Sequence, residues 1–172
     1  MAETHTLEAE LRAVHARSFG WALACSGRDH DRAGDVLQEA YAKVLDGRAR
    51  WDGRSSFKTW FFGVVRLTAI EHQRWSLRAW LGITSDRSET ETADDAPSPS
   101  SALDRSIRAK ALSRALAELA PRQREVLHLA FYEELTLREA AEIMGISIGS
   151  ARQHYERGKA RLLQILDARG IQ

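Results

Sequence analysis

The chain has 172 residues, with 25 Lys+Arg against 24 Asp+Glu and 44% hydrophobic residues. That is enough for one ordinary domain or two small ones, and it excludes wholesale disorder. The apolar runs are only a few residues long, so no segment is expected to insert in a membrane, and the charge-alternating N-terminus does not read as a secretory signal. The single cysteine, Cys25, excludes an internal disulfide framework and a cysteine-based zinc site, which points to a cytoplasmic protein. The near-neutral total hides a segregation. Residues 48–80 carry seven basic against two acidic residues and seven of the 13 aromatics, residues 148–172 carry five basic against two acidic, and residues 85–101 carry five acidic against one Arg. Two basic blocks around an acidic connector suit either a polyanion touched twice or ordinary solvated helix faces.

In chain order, apolar spacing predicts helices throughout and no strands. Leu7, Leu11 and Val14 mark a first helix running to about Cys25. A second, over about Asp29–Asp46, sets Leu37, Tyr41, Val44 and Leu45 on one face and Asp35, Gln38, Glu39, Ala42 and Asp46 on the other. The loop Asp52-Gly53-Arg54-Ser55-Ser56 breaks the pattern, with Ser55 or Ser56 as N-cap of a third helix from Phe57 to Leu77 or beyond. Residues 85–101 have no large apolar side chain and two of the three prolines. They cannot bury enough to offset ordering entropy and read as a flexible acidic linker. The expected architecture is therefore all-α, with two small helical domains over 1–82 and 103–172 joined by a linker over 83–102.

The second domain begins with a helix near Leu103–Leu119, and Pro121 fits the first turn of the next. Thr136-Leu-Arg-Glu139 is a capping box for a short helix Leu137–Met144. Gly145 suits a left-handed helix end, and Ser147 caps a last helix with Ile148, Ala151, Tyr155, Leu162 and Ile165 on its buried side. Short helix, glycine turn and capped helix form a helix-turn-helix, whose second helix can enter a DNA major groove. Its polar face offers Gly149, Gln153, Glu156 and Arg157, flanked by Arg152 and Lys159. These residue types pair with base edges and phosphates, although a purely structural helical hairpin would carry the same geometry.

In the third helix and just before its leading loop, Trp51, Phe57, Trp60, Phe61, Phe62, Trp75 and Trp80 exceed what one core stripe needs. Interleaved with Arg54, Lys58, Arg66, Arg74 and Arg78, they fit a surface for a single strand. Core packing is the alternative, and it is preferred for Trp60 and Phe61; Trp51 is the ring most expected at the surface. The polar face holding Asp35, Gln38 and Glu39 suits a docking surface or a solvated helix face, and from the residues alone the solvated face is preferred. No phosphate-binding loop, clustered histidine ligands or nucleophile–base pair is apparent, so neither catalysis nor a metal or cofactor is expected. A stand-alone duplex-binding regulator with a dimerising first domain is the competing reading, opposed by the cationic character of the third helix.

Asp35-Val-Leu-Gln-Glu-Ala-Tyr41, Phe57-Lys-Thr-Trp60 and Ile70-Glu-His-Gln-Arg74 resemble region two of the extracytoplasmic-function sigma factors of bacterial RNA polymerase. Pro121-Arg-Gln-Arg-Glu-Val-Leu127 and Leu135-Thr-Leu-Arg-Glu-Ala-Ala-Glu-Ile-Met-Gly-Ile-Ser147 resemble region four. The resemblance implies that Asp35, Gln38 and Glu39 dock on the core polymerase. It also implies that Trp51, Asp52, Gly53, Arg54, Ser55, Ser56, Phe57, Lys58, Arg66, Leu67 and Arg74 capture the non-template strand of the minus-ten element. Arg152, Gln153, Glu156, Arg157 and Lys159 would then read the minus-thirty-five duplex. Leu67 stands where the family often has Asn, and Glu71 where it usually has Asp, which alters the expected minus-ten base choice. An anti-sigma partner and a monomeric free state are further implications.

Overall fold

A computed structural model describes residues 2–81 and 101–170, with side chains over 7–78, 81 and 107–170. All but the last two residues of the expected linker, and the side chain of Trp80, lie outside it. The described elements are seven helices: α1 Ala2–Cys25, α2 His30–Leu45, α3 Phe57–Trp80, α4 Ser101–Ala117, α5 Pro121–Phe131, α6 Leu137–Met144 and α7 Ile148–Ala168.

In the first half, α1, α2 and α3 pack mutually. Leu11, Val14, Ser18 and Trp21 recur at three- and four-residue spacing and are buried, the inward stripe of an amphipathic helix. Trp21 is fully buried. Its ring stacks on Phe62 at 5.7 Å between centroids, and its indole N–H donates to the Phe62 carbonyl at 2.8 Å, so the one polar atom of the largest core residue is satisfied. Asp29 caps α2 by accepting from the Arg32 amide, and Ser56 caps α3 by accepting from the Thr59 amide, which decides between the two candidate serines. Leu45, expected on the buried face of α2, is instead 61% exposed. It occupies the final turn, where the chain leaves the bundle and no neighbour covers it.

In the second half, Pro121 starts α5 at its first turn. The capping box of α6 is complete: Thr136 accepts from the Glu139 amide, and Glu139 accepts from the Thr136 amide. Gly145 ends α6 at φ 62°, in the left-handed region that a side chain would strain. Ser147 then caps α7 through the Ser150 amide. Ala151 and Ile165 are buried and Tyr155 and Leu162 half-buried on α7, but Ile148 is largely exposed: in the first turn it sits before α7 meets α5.

The two helical units pack on each other. Val126 and Leu129 of α5, and Ala140, Ile143 and Met144 of α6, share a continuous core with Trp21, Phe62 and Val65. A smaller core, Ala115, Leu116, Leu119, Leu127 and Ile165, joins α4, α5 and α7. Arg124, 5% exposed, stands at the joint. Its guanidinium donates to the Ala24 carbonyl at the end of α1 and to the Ala117 and Leu119 carbonyls at the end of α4. One cation thus satisfies helix C-termini from both halves, while burial draws its pKa below the usual arginine range.

Candidate nucleic-acid interface

Three surfaces hold the residues singled out from the sequence. The first is the polar side of α2. Asp35 and Gln38 are exposed and Glu39 is half-buried. Asp35 and Glu39 line a groove of about 630 Å³ with Asp29, Asp31 and Arg32 of the same side and Glu71, His72 and Trp75 of α3. Glu39 lies 3.5 Å from His72 and 3.8 Å from Arg48, and Lys43 bonds Glu71. Helical periodicity on α2 alone places Asp35 and Glu39 together. It does not reach His72 or Trp75, which arrive from a helix more than thirty residues later.

The second surface is the loop before α3. Trp51 is 40% exposed, as expected, and it is held rather than loose. Its indole N–H donates to the Ser55 carbonyl at 3.0 Å, and its edge meets the Phe57 ring at 5.5 Å. Asp52 accepts from the Arg54 amide and pairs with its guanidinium across Gly53, whose φ of 75° favours glycine. A groove of about 690 Å³ runs beneath, lined by Leu7, Leu45, Arg50, Trp51, Phe57 and Trp60 among others. Ser55 is half-buried and Ser56 exposed beside it.

Along α3 itself the residues divide. Leu67 and Arg74 are exposed, so a leucine contributes 59% of its surface to this face. Phe57 is only 4% exposed and Phe61 and Phe62 are fully buried, so these rings are core. Trp60 is half-buried against the same core. Arg66, expected at the surface, is 7% exposed and bonded to Glu125 of α5 at 3.0 Å. Lys58 is 2.7 Å from the Glu133 carboxylate and lies over the Phe62 ring at 5.4 Å. Glu133 also faces Arg17 and His128, each at 3.5 Å. Burial alone would raise the pKa of Glu133, but hydrogen bonds and charge from His128 and Lys58 hold it below the ordinary value. No local signal marks these pairings, because Glu125 and Glu133 come from the other half of the chain.

The third surface is the N-terminal half of α7. Arg152, Gln153, Glu156 and Arg157 are exposed together, and Lys159 is half-buried against the Tyr155 ring at 5.1 Å. Ala151 and Gly158 on the opposite side are buried. Gly158 lets α7 approach α5: a Cβ there would stand 3.1 Å from Gln123 Cβ and 3.3 Å from its carbonyl oxygen. Periodicity had not singled out this glycine, since close helix contact depends on a partner helix. Among the described residues, no group of three or more His, Cys, Asp or Glu could hold a metal ion, and no helix is long and apolar enough to cross a membrane.

A capped helix-turn-helix carrying polar and cationic side chains, behind a helical unit with an aromatic loop, is a two-part arrangement with known counterparts. Residues 9–81 match the family model "Sigma-70 region 2", and residues 109–162 match "Sigma-70, region 4". The RNA polymerase sigma factor CarQ of Myxococcus xanthus is 30% identical over 157 residues, 91% of this chain and 87% of CarQ. The chain belongs to the extracytoplasmic-function group of the sigma-70 family. The extracytoplasmic-function sigma factor SigF of Caulobacter vibrioides is 37% identical over 119 residues, covering 69% of this chain and 62% of SigF. Among solved structures, the sigma factor RpoE from Bartonella quintana, in complex with the anti-sigma factor NepR, superposes with a TM-score of 0.73 at 25% identity, over 94% of this chain and 97% of that one. The protein is accordingly a sigma factor of RNA polymerase, acting in promoter recognition and transcription initiation.

Proposed function

We propose that this sigma factor divides its work among the three surfaces. Residues 1–82 dock on the polymerase core through Asp35, Gln38 and Glu39. They also capture the minus-ten non-template strand through the Trp51–Ser56 loop, Phe57, Lys58, Arg66, Leu67 and Arg74. Residues 103–172 read the minus-thirty-five duplex through Arg152, Gln153, Glu156, Arg157 and Lys159, and 83–102 connects the two. The observation that carries this reading is the joint exposure of Arg152, Gln153, Glu156 and Arg157 on one side of α7, with the other side packed, the placement a recognition helix needs.

Promoter opening in this reading needs no catalysis by the chain. Each base-pair step disrupted costs about 1.4 kcal/mol, and each base stacked on an aromatic ring returns about 1–3 kcal/mol. Capture of a few unpaired bases therefore offsets local melting without nucleotide hydrolysis. The protein works in the cytoplasm, where polymerase and promoter are found, and is a monomer when free. An anti-sigma factor, the kind of partner that NepR is to RpoE in the related structure, covers these surfaces when transcription is not required.

The test is binding of the purified protein to bacterial core RNA polymerase, wild type against Asp35→Arg/Glu39→Arg. Tight binding lost in the double charge reversal, with weak promoter binding by the free protein, supports the reading. Tight, specific duplex binding by the free protein with no polymerase binding replaces it with a stand-alone regulator.

A further inference from the structure

Helix α3 carries a glycine, Gly63, in its interior, where glycine weakens a helix relative to alanine. The rest of the chain does not require it. A Cβ at Gly63 would meet no atom within 4 Å, and its backbone is not among the left-handed positions. Other glycines have such reasons: Gly158 is held to its identity by α5 at 3.1 Å, and Gly145 by its φ of 62°. The space over Gly63 is open instead.

What borders that space is apolar. Alternating steps of three and four residues follow one face of a helix, so Trp60, Gly63, Leu67, Ile70 and Arg74 form one outward stripe of α3. Trp60 and Ile70 are half-buried, and Leu67 is 59% exposed. A lone exposed leucine needs no explanation; a leucine beside an unexplained glycine and an indole is a shaped surface. Helical side chains lean toward the N-terminus, which brings Leu67 back toward Gly63. Trp60 and Leu67 are about 10 Å apart along the axis, room for one flat ring in contact at about 3.5–4 Å on each face. Trp60 also lines the groove beneath Trp51, so the notch is continuous with the aromatic loop.

The charges around the notch indicate its occupant. Arg54 in the leading loop and Arg74 at the far end of the stripe are both exposed; Arg54 pairs with Asp52. The carboxylate of Glu71, beside the stripe, is bonded to Lys43. An apolar slot between cations suits an unpaired nucleotide, with the ring in the slot and its phosphates toward the cations. Gly63, Leu67 and Ile70 offer no side-chain hydrogen bond, so this wall cannot read a polar base edge. The apolar mark that distinguishes one base from the others is the C5-methyl group of thymine.

We propose that Gly63 and Leu67 form a slot for one unpaired thymine of the non-template strand, the glycine leaving room for the ring and the leucine selecting its methyl group. This rests on the assignment of α3 to the strand. Gly63 and Leu67 are thus specificity-determining residues, one through the space it leaves and the other through the surface it adds.

The test uses the sigma factor assembled with bacterial core RNA polymerase, on a promoter selected by that holoenzyme from random sequence and premelted over its minus-ten segment. Non-template thymines are replaced one at a time by deoxyuridine, which removes only the methyl group. The expected result is one position at which the replacement weakens binding about fourfold, the burial of one methyl group. There, Leu67→Asn is expected to bind both forms alike. Gly63→Ala is expected to raise the melting temperature of the free chain by about 2–4 °C and yet to weaken strand binding by the holoenzyme about tenfold, through overpacking of the slot. A merely structural glycine would not show that opposition. Uracil tolerated at every position, or a selected segment without thymine, overturns the proposal. So does methyl dependence that survives Leu67→Asn, or a Gly63→Ala holoenzyme that binds the strand like wild type. Loss of core polymerase binding by Gly63→Ala assigns the notch to a protein contact and overturns it as well. The underlying assignment is read separately with Trp51→Ala/Arg74→Ala. Unimpaired promoter opening by that holoenzyme removes the strand assignment and the proposal with it; impaired opening with no methyl-dependent position overturns the thymine slot alone.

Discussion

Arg66 and Glu125 stand 59 residues apart in the chain and 3.0 Å apart in space, a buried ion pair that joins the two halves of the molecule. Such a pair is weak evidence for stability as a whole, because desolvation offsets most of the attraction. Its disruption from one side is costly, since it leaves a buried charge alone.

From this follows an asymmetry that denaturation can measure. Glu125→Ala or Arg66→Ala is expected to cost the folded state about 3–5 kcal/mol. The paired replacement Arg66→Met/Glu125→Leu is expected to cost much less than the sum of the single changes. A double-mutant cycle in urea provides the coupling energy; additive single costs would mean that the pair is solvated rather than buried.

The joint between α5 and α7 makes a second expectation. Gly158→Ala gains about 1 kcal/mol of helix propensity but forces a Cβ against Gln123 Cβ and its carbonyl, at 3.1 and 3.3 Å. Those atoms are fixed to the α5 backbone, so overpacking of about 1–3 kcal/mol prevails and the helix-turn-helix loses stability. Gly34→Ala in α2 meets nothing within 4 Å and should stabilise by about 1 kcal/mol. Thermal melts of the two variants should therefore move in opposite directions.

Acid should loosen the contact between the halves. The pKa of Glu133 is depressed in the folded protein, so its contribution is present above the unfolded value, roughly 4.3 for a glutamate. It is lost as pH falls from there through the depressed folded value. Stability followed by denaturant titration down this range should fall for the wild type and fall less for Glu133→Gln. Equal slopes would remove Glu133 from the acid response.

On α7, Arg157→Ala and Gln153→Ala separate two kinds of contact. A side chain that reads a base edge is expected to cost about 1–3 kcal/mol on the preferred duplex and to relax specificity at one position. A phosphate contact weakens all sequences alike and lowers the salt slope by about 1. Holoenzyme binding to the preferred and to scrambled minus-thirty-five duplexes at two salt concentrations assigns each residue.

Much of the molecule was legible in the chain because the relevant signals are local. Capping by Thr136 and Glu139, the left-handed Gly145 and the Ser147 cap depend on neighbours within four residues, and all three stand as read. The polar sides of α2 and α7 follow from helical period, and Asp35, Gln38, Arg152, Gln153 and Arg157 are indeed exposed. The same reasoning misplaced Leu45 and Ile148, each in a terminal turn where the period continues but the neighbouring helix does not. It also left Trp21 unnamed, although that ring stacks at the centre of the core.

The sequence by itself determined seven helices' worth of local structure, the helix-turn-helix and the family, because hydrophobic period, caps and motif spacing are properties of short segments. Only the tertiary structure decided that Arg124 closes helix ends in both halves, that Arg66 and Lys58 meet Glu125 and Glu133, and that Arg66 is buried while Leu67 and Arg74 of the same helix are exposed. The contacts among these that join the two halves are between residues 59 to 100 positions apart. No local preference encodes such pairings; they arise when two amphipathic units bury their remaining apolar faces against each other and the charges at the seam must find partners.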